Sequence, residues 1–160
     1  MNRANLGSGG DYRPGWINVD VDPSADPDVV ADISETPWTW APRGGFDEVL
    51  MDNVLEHTTD HLAVLEELAS WTVEGGVVVV RGPHPNSRGM WADPTHEAPF
   101  PPATFDHRLV DDLFYVESVS VDRVRFGRLL PDRAALWAAD HVGHIVSGFE
   151  VVLRRTGVQP

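Results

Sequence analysis

The sequence predicts an α/β domain on a sheet of about seven strands, mostly parallel, with several crossover helices shortened to loops. Three observations lead there. Val77–Arg81 (VVVVR) is a continuous apolar run, the pattern of a strand buried on both faces of a parallel sheet. Short apolar runs bounded by turn residues recur along the whole chain, and they outnumber the helical patterns. Only nine residues separate Leu6 from Trp16, and Gly7, Gly9, Gly10, Pro14 and Gly15 are among them. A parallel crossover usually takes about a dozen residues or more, so a loop stands there in place of a helix.

Arg3–Leu6 is a short first strand running into glycines. Trp16–Val21 (WINVDV) alternates and is rich in β-branched residues. Asp28–Ile33 (DVVADI) and Phe46–Met51 (FDEVLM) are the third and fourth strands. His61–Trp71 is the clearest helix: Leu62, Leu65, Leu68 and Ala69 recur at helical spacing. Asp60 or Thr59 can cap its start, and Gly75-Gly76 punctuates after its end. Val77–Arg81 is the fifth strand. Ala103–Leu113 reads as a further helix, and Tyr115–Arg125 as the sixth strand. Asp132–Ile145 reads as the last helix, with Pro131 just before it and Ala134, Leu136, Trp137 and Ala138 inside. Phe149–Arg154 is the seventh strand.

The 160 residues are the natural content of one domain, taken as 1–160. Asp and Glu number 25 against 12 Lys and Arg, a formal charge of −13. Every basic residue is arginine. Acid excess without lysine is the composition of a salt-adapted protein, whose hydrated acidic surface stays dispersed when salt screens its self-repulsion. An ordinary acidic protein from a GC-rich genome would also favour arginine. Nucleic acid is disfavoured as a partner, because binding it takes basic residues that displace counterions from phosphate. The absence of cysteine excludes disulfides, thiolate zinc sites and cysteine nucleophiles. No apolar run approaches the ~20 residues of a membrane span, and Met1–Asn5 holds no apolar signal core. A cytoplasmic protein with no membrane partner is expected.

Chemistry concentrates at three strand ends. Asn5-Leu6-Gly7-Ser8-Gly9-Gly10 follows the first strand, where glycine lets the backbone turn tightly and approach a ligand. Trp16–Asp20 ends in an acid, placed to accept from ribose hydroxyls, and Val29–Asp32 ends in another, placed at an adenine edge. A nucleoside-shaped ligand fits. A dinucleotide fingerprint would need glycine at position 12, which is Tyr12. Without a following helix or any lysine, no phosphate cradle forms, so the ligand lacks a pyrophosphate.

At this point the chain resembles the class I S-adenosylmethionine-dependent methyltransferases, especially small members whose glycine loop runs directly into the second strand. NLGSGGDYRPGWINVDVDP is similar to their first and second motifs, DVVADISE to the third and FDEVLMDNVLEH to the fourth. LASWTVEGGVVVVRGPHP resembles the helix-turn-strand that follows, and RGMWADPTHEAPF also resembles this group. The likeness runs from about Asn5 to Arg155. It implies a Rossmann-like sheet with an antiparallel last strand and S-adenosylmethionine as cofactor. By resemblance, Asn5, Gly7, Ser8 and Gly9 would wrap the methionine part. Asp20 would hold the ribose, with Asp22 as its rival. Asp32 and Ile33 would bracket the adenine, and Asp52 and Asn53 would line the sulfonium side. Thr72-Val73-Glu74 replaces the family's common basic turn, and only Pro83–Pro102 is inserted where relatives build substrate lids.

The implied activity is methyl transfer to a small-molecule or protein acceptor, mainly a matter of orientation. Should the acceptor need a base, His96 in the proline-rich loop is the first candidate and His84 the second. His57 reads as fold-supporting. Trp38 and Trp40 either close over the adenine or clamp a helix-less loop. His84, Asp93, His96 and His107 could in principle supply a divalent ion, yet their spacing matches no compact motif and no metal is expected. The competing reading is an inactive fold of the same type serving as a structural or interaction protein, its crevice filled by Tyr12, Trp38 or arginine side chains. A nucleotide-sugar or dinucleotide enzyme is the third. A second copy or another protein could cover the trimmed sheet.

Overall fold

The computed structural model describes residues 1–42, 45–107, 110, 112–124 and 129–157. Seven strands make one sheet: β1 Arg3–Leu6, β2 Ile17–Asp20, β3 Val29–Val30, β4 Phe46–Asp52, β5 Thr72–Pro83, β6 Phe114–Arg123 and β7 Val146–Arg155. Their order is β3-β2-β1-β4-β5-β7-β6. The first five pair in parallel, and β7 runs antiparallel between β5 and β6. The expected α/β architecture is therefore observed, the antiparallel last strand included. The described helices are α1 His61–Trp71, α2 Arg88–Ala92 and α3 Asp132–Val142. None is long and apolar enough to cross a membrane.

One sheet face carries the core. Register sets Leu6 beside Met51, Met51 beside Val80 and Val80 beside Val151, all fully buried. Val64, Leu65, Leu68 and Ala69 of α1 join this core, together with Phe100 and Phe105. Asp60 caps α1, its side chain accepting from the Ala63 amide. The opposite face is thinner. There the 7–16 loop takes the place of a helix, pinned by two buried asparagines on adjacent strands. Asn5 Nδ2 donates to the Asp11 carbonyl (2.7 Å), and Asn18 Oδ1 accepts from the Arg13 amide (2.8 Å). The two side chains also bond each other at 3.2 Å. Arg3 lies over the Trp16 ring at 5.1 Å, adding a cation–π contact to the cover.

Several sequence expectations are corrected. The VVVVR strand is not buried on both faces: Val78 and Val80 are fully buried, but Val77 and Val79 only partly, because no helix among the described residues covers them on the second face. Gly75 and Gly76 do not separate helix from strand. They lie inside β5, where pairing with β4 skips from Phe46↔Thr72 to Glu48↔Val77. A Cβ on Gly76 would stand 2.7 Å from Thr72 Cγ2, so the irregularity requires glycine. The third strand shrinks to Val29–Val30. The last helix stops at Val142, since Gly143 and His144 take positive φ (77° and 52°). Ala103–Leu113 is described as a 3₁₀ turn over Pro102–Asp106. Residues 108, 109 and 111 of that segment, and position 125 of the expected sixth strand, lie outside the described residues. The short helix α2 was not foreseen.

Candidate functional site

The chain leaves β1 toward β2 and β3 on one side, then returns to β4 on the other. A crevice forms where such a sheet changes direction, at the carboxyl ends of the strands. It measures about 370 Å³, within the range of small-molecule pockets. Gly7 and Gly9 come to it from β1, Asp20 and Val21 from β2, Ala31 to Ser34 from β3, and Asn53 and Val54 from β4. His57 and Thr58 close the far wall.

The backbone makes this wall. Gly7 has φ of +66°, and a Cβ there would lie 2.3 Å from Val54 Cγ2. The β1 and β4 loops can touch only because Gly7 has no side chain. Asn53 also takes the left-handed region (φ 55°), where asparagine is tolerated. Asp20 grips the glycine loop: Oδ2 accepts from the Gly9 amide at 2.6 Å and Oδ1 from the Asp22 amide at 2.9 Å. A carboxylate has about four lone-pair positions, so Asp20 keeps capacity for a ligand's hydroxyls. Asp32 accepts from the Ser34 amide (2.8 Å) and borders the crevice beside buried Ile33.

Six of the residues singled out from sequence line the crevice: Gly7, Gly9, Asp20, Asp32, Ile33 and Asn53. Others stand behind it. Asn5 holds the 7–16 loop, and Ser8 is buried with its Oγ unpartnered. Asp22 spends its carboxylate capping the turn at Pro23–Ala25, which lowers its pKa. Asp52 pairs with Arg81 (2.9 Å), which also reaches Glu150 (2.8 Å); these bonds hold the guanidinium pKa above its ordinary value. Trp38 donates to the Ile33 carbonyl (3.0 Å) and stacks on Trp40, so the pair braces the loop after β3 from the core. Tyr12 is exposed and bonds Asp28, and no arginine lines the crevice among the described residues.

Of the proposed bases, His84 is buried and does not line the crevice. Its Nδ1 accepts from the Asn86 amide (3.2 Å), so Nε2 carries the proton and faces Asp140 at 3.3 Å. His96 also stands outside the lining. His57 is at the crevice, and its ring meets that of His96 edge-on with centroids 4.8 Å apart. Beside them Glu56 is wholly buried, and burial raises its pKa. Sequence reasoning passed over Glu56; the only signal was an acid next to histidine. A second cavity of about 310 Å³ shares Asn53 with the crevice and is bordered by Asp52, Arg81 and Asp122.

No protein-family model matches the chain, and no curated protein matches it. Solved structures do. A SAM-dependent methyltransferase from Archaeoglobus fulgidus superposes with a TM-score of 0.66 at 16% identity, over 96% of this chain and 86% of that one. An S-adenosylmethionine-dependent methyltransferase from Mesorhizobium loti gives 0.68 at 14% identity, over 96% and 90%. The [4+2]-cyclase SpnF gives 0.66 at 14% identity, over 98% and 75%. At such identities the likeness establishes the Rossmann-like fold, and the presence of a cyclase among these structures keeps reaction separate from fold.

Proposed function

We propose that the chain is an S-adenosylmethionine-dependent methyltransferase acting on a small-molecule or protein acceptor. The observation that carries this is the crevice wall: a glycine loop held by the acid that ends β2, closed against Val54 through Gly7. The lining suits the cofactor chemically. Asp20 retains acceptor capacity for ribose hydroxyls, and Ile33 offers an apolar wall for adenine beside Asp32. Among the described residues the lining carries two carboxylates and no arginine, which favours a cation over a pyrophosphate. That preference counts against a dinucleotide enzyme.

When bound, S-adenosylmethionine supplies a methyl group activated by its sulfonium charge for in-line displacement by the acceptor. The chain's own residues hold and orient. Gly7, Gly9, Asp20, Asp32, Ile33 and Asn53 would contact the cofactor. Asn5 and Asn18 fix the loop that carries the glycines. The cavity sharing Asn53 is the proposed acceptor side, with Asp52 fixed there by Arg81. Asn5, Ser8 and Asp52 thus act from behind the contact layer. Excess negative charge supports an acceptor other than nucleic acid. The lining excludes Tyr12 and Trp38, which supports a working crevice over an inactive scaffold.

Calorimetric titration with S-adenosylmethionine and its demethylated product tests this. Micromolar binding by the folded wild type, lost in Asp20→Ala, is expected. Absence of binding by demonstrably folded protein, in molar KCl and in low salt alike, overturns the reading in favour of a scaffold.

A further inference from the structure

We propose that Glu56, His57 and His96 form a binding site for one divalent transition-metal ion of the zinc class. The three side chains come from two segments. Glu56 and His57 lie in the 3₁₀ turn Leu55–His57 that follows β4. His96 lies in the loop after α2. The Glu56 carbonyl clips that loop in place, accepting from the amides of Glu97 (2.8 Å) and Ala98 (3.3 Å). One ligand atom from each of the three side chains lies within 4.8 Å of the others.

Their hydrogen bonds leave each of the three groups with an acceptor to offer. His96 Nδ1 sits 2.7 Å from the Met90 carbonyl, which has no proton to give, so Nδ1 is the donor. His57 Nδ1 sits 3.1 Å from the Thr95 carbonyl and 3.2 Å from the Thr95 hydroxyl. That hydroxyl is committed to Asp93 Oδ1 at 2.6 Å, so His57 Nδ1 is also a donor. Each neutral imidazole therefore keeps its lone pair on Nε2. Glu56 is fully buried, and both its carboxylate oxygens are without a hydrogen-bond partner. An unsatisfied buried carboxylate is costly. A cation satisfies all three groups together.

The donor set selects the cation. Two imidazoles and one carboxylate suit zinc, cobalt or iron(II) over magnesium or calcium, which prefer all-oxygen shells. A backbone carbonyl behind each Nδ1–H is the support that metal-ligating histidines ordinarily have, fixing tautomer and ring orientation. Three protein ligands leave a coordination position open, and His57 borders the crevice. Zinc–ligand bonds near 2.1 Å hold ligand atoms about 3.4 Å apart, so binding draws the three side chains closer together.

The test uses the full chain, stripped with chelator and free of S-adenosylmethionine, so its outcome is separate from that of the cofactor titration. Zn²⁺ is titrated calorimetrically with excess Mg²⁺ present, and Co²⁺ is followed by its visible ligand-field bands. One ion per chain at micromolar or tighter affinity is expected. His57→Ala and His96→Ala should each weaken it by about tenfold or more, as should Glu56→Gln. If Glu56→Gln does not fold, His96→Ala on the loop decides. His141→Ala, on the exposed side of α3, should leave the affinity unchanged. No stoichiometric uptake, or an affinity unmoved by His57→Ala and His96→Ala, overturns the proposal. So does an affinity that falls as much in His141→Ala.

Discussion

Two glycines in one loop separate conformational strain from steric contact. Gly7 and Gly9 both have positive φ, +66° and +45°, so alanine at either costs about 1–2 kcal/mol of backbone strain. Only at Gly7 does a Cβ also meet Val54, at 2.3 Å; nothing lies within 4 Å of one on Gly9. Overpacking adds about 1–3 kcal/mol. Gly7→Ala should therefore lower the unfolding free energy by roughly twice as much as Gly9→Ala in urea titration. Equal losses would mean that Val54 swings clear and that the wall is not fixed by this contact. The glycine loop and the acids after β2 and β3 were legible in the sequence, because turn chemistry and strand ends are local. The grouping of Glu56 and His57 with His96 was not. It depends on two backbone hydrogen bonds between segments 40 residues apart, and no local pattern encodes those.

At the level of elements, α1 and α3 are held by different chemistry. Glu67 on α1 accepts from the Trp38 amide (2.6 Å) and from Trp71 Nε1 (2.8 Å), which ties the β3–β4 connection to the helix. Glu67→Ala leaves both donors without this partner, and a loss of about 1–3 kcal/mol in chemical denaturation is expected. A change no larger than that of an exposed alanine substitution would show that water replaces it freely. α3 meets the end of β5 through Asp140 and buried His84. Burial lowers the His84 pKa below its ordinary 6.5, outweighing the opposite pull of Asp140; burial lowers that of His61 likewise. The folded chain thus binds fewer protons than the unfolded chain just below pH 6.5, so this part of the stability is full above that pH and falls as acid is added. The difference in unfolding free energy between wild type and His84→Gln should shrink from neutral pH downward through that window. A pH-independent difference would remove His84 from the balance. Hydropathy found every described strand and the two long helices, since most of them bury an apolar face of regular period, the two-residue β3 excepted. It missed the start of β5 at Thr72, where the strand follows α1 without a turn and its glycines serve an irregular register rather than a boundary. It also missed α2, whose five residues are too few to show a period.

For the whole molecule, the dominant unbalanced force is charge. If every arginine found an acid, 25 − 12 = 13 carboxylates would still lack one. The visible pairs are mostly partly exposed, such as Arg154–Glu117 and Arg13–Asp11, and exposed pairs contribute little. Salt weakens those pairs slightly, but it screens the much more numerous repulsions among like charges. The screening length falls from about 10 Å at 0.1 M to about 3 Å at 1 M. Stability should therefore rise with KCl, and most of the gain should come early. Screening saturates once the length drops below the spacing of surface carboxylates, whereas exclusion of a salt from the surface strengthens burial steadily with concentration. Thermal unfolding across a KCl series distinguishes the two. A steep rise that flattens toward molar salt assigns the effect to the acidic surface and supports a salt-adapted protein. A flat or falling curve would mean that the acids are spaced well enough to tolerate low salt, leaving the lysine-free composition to codon usage alone.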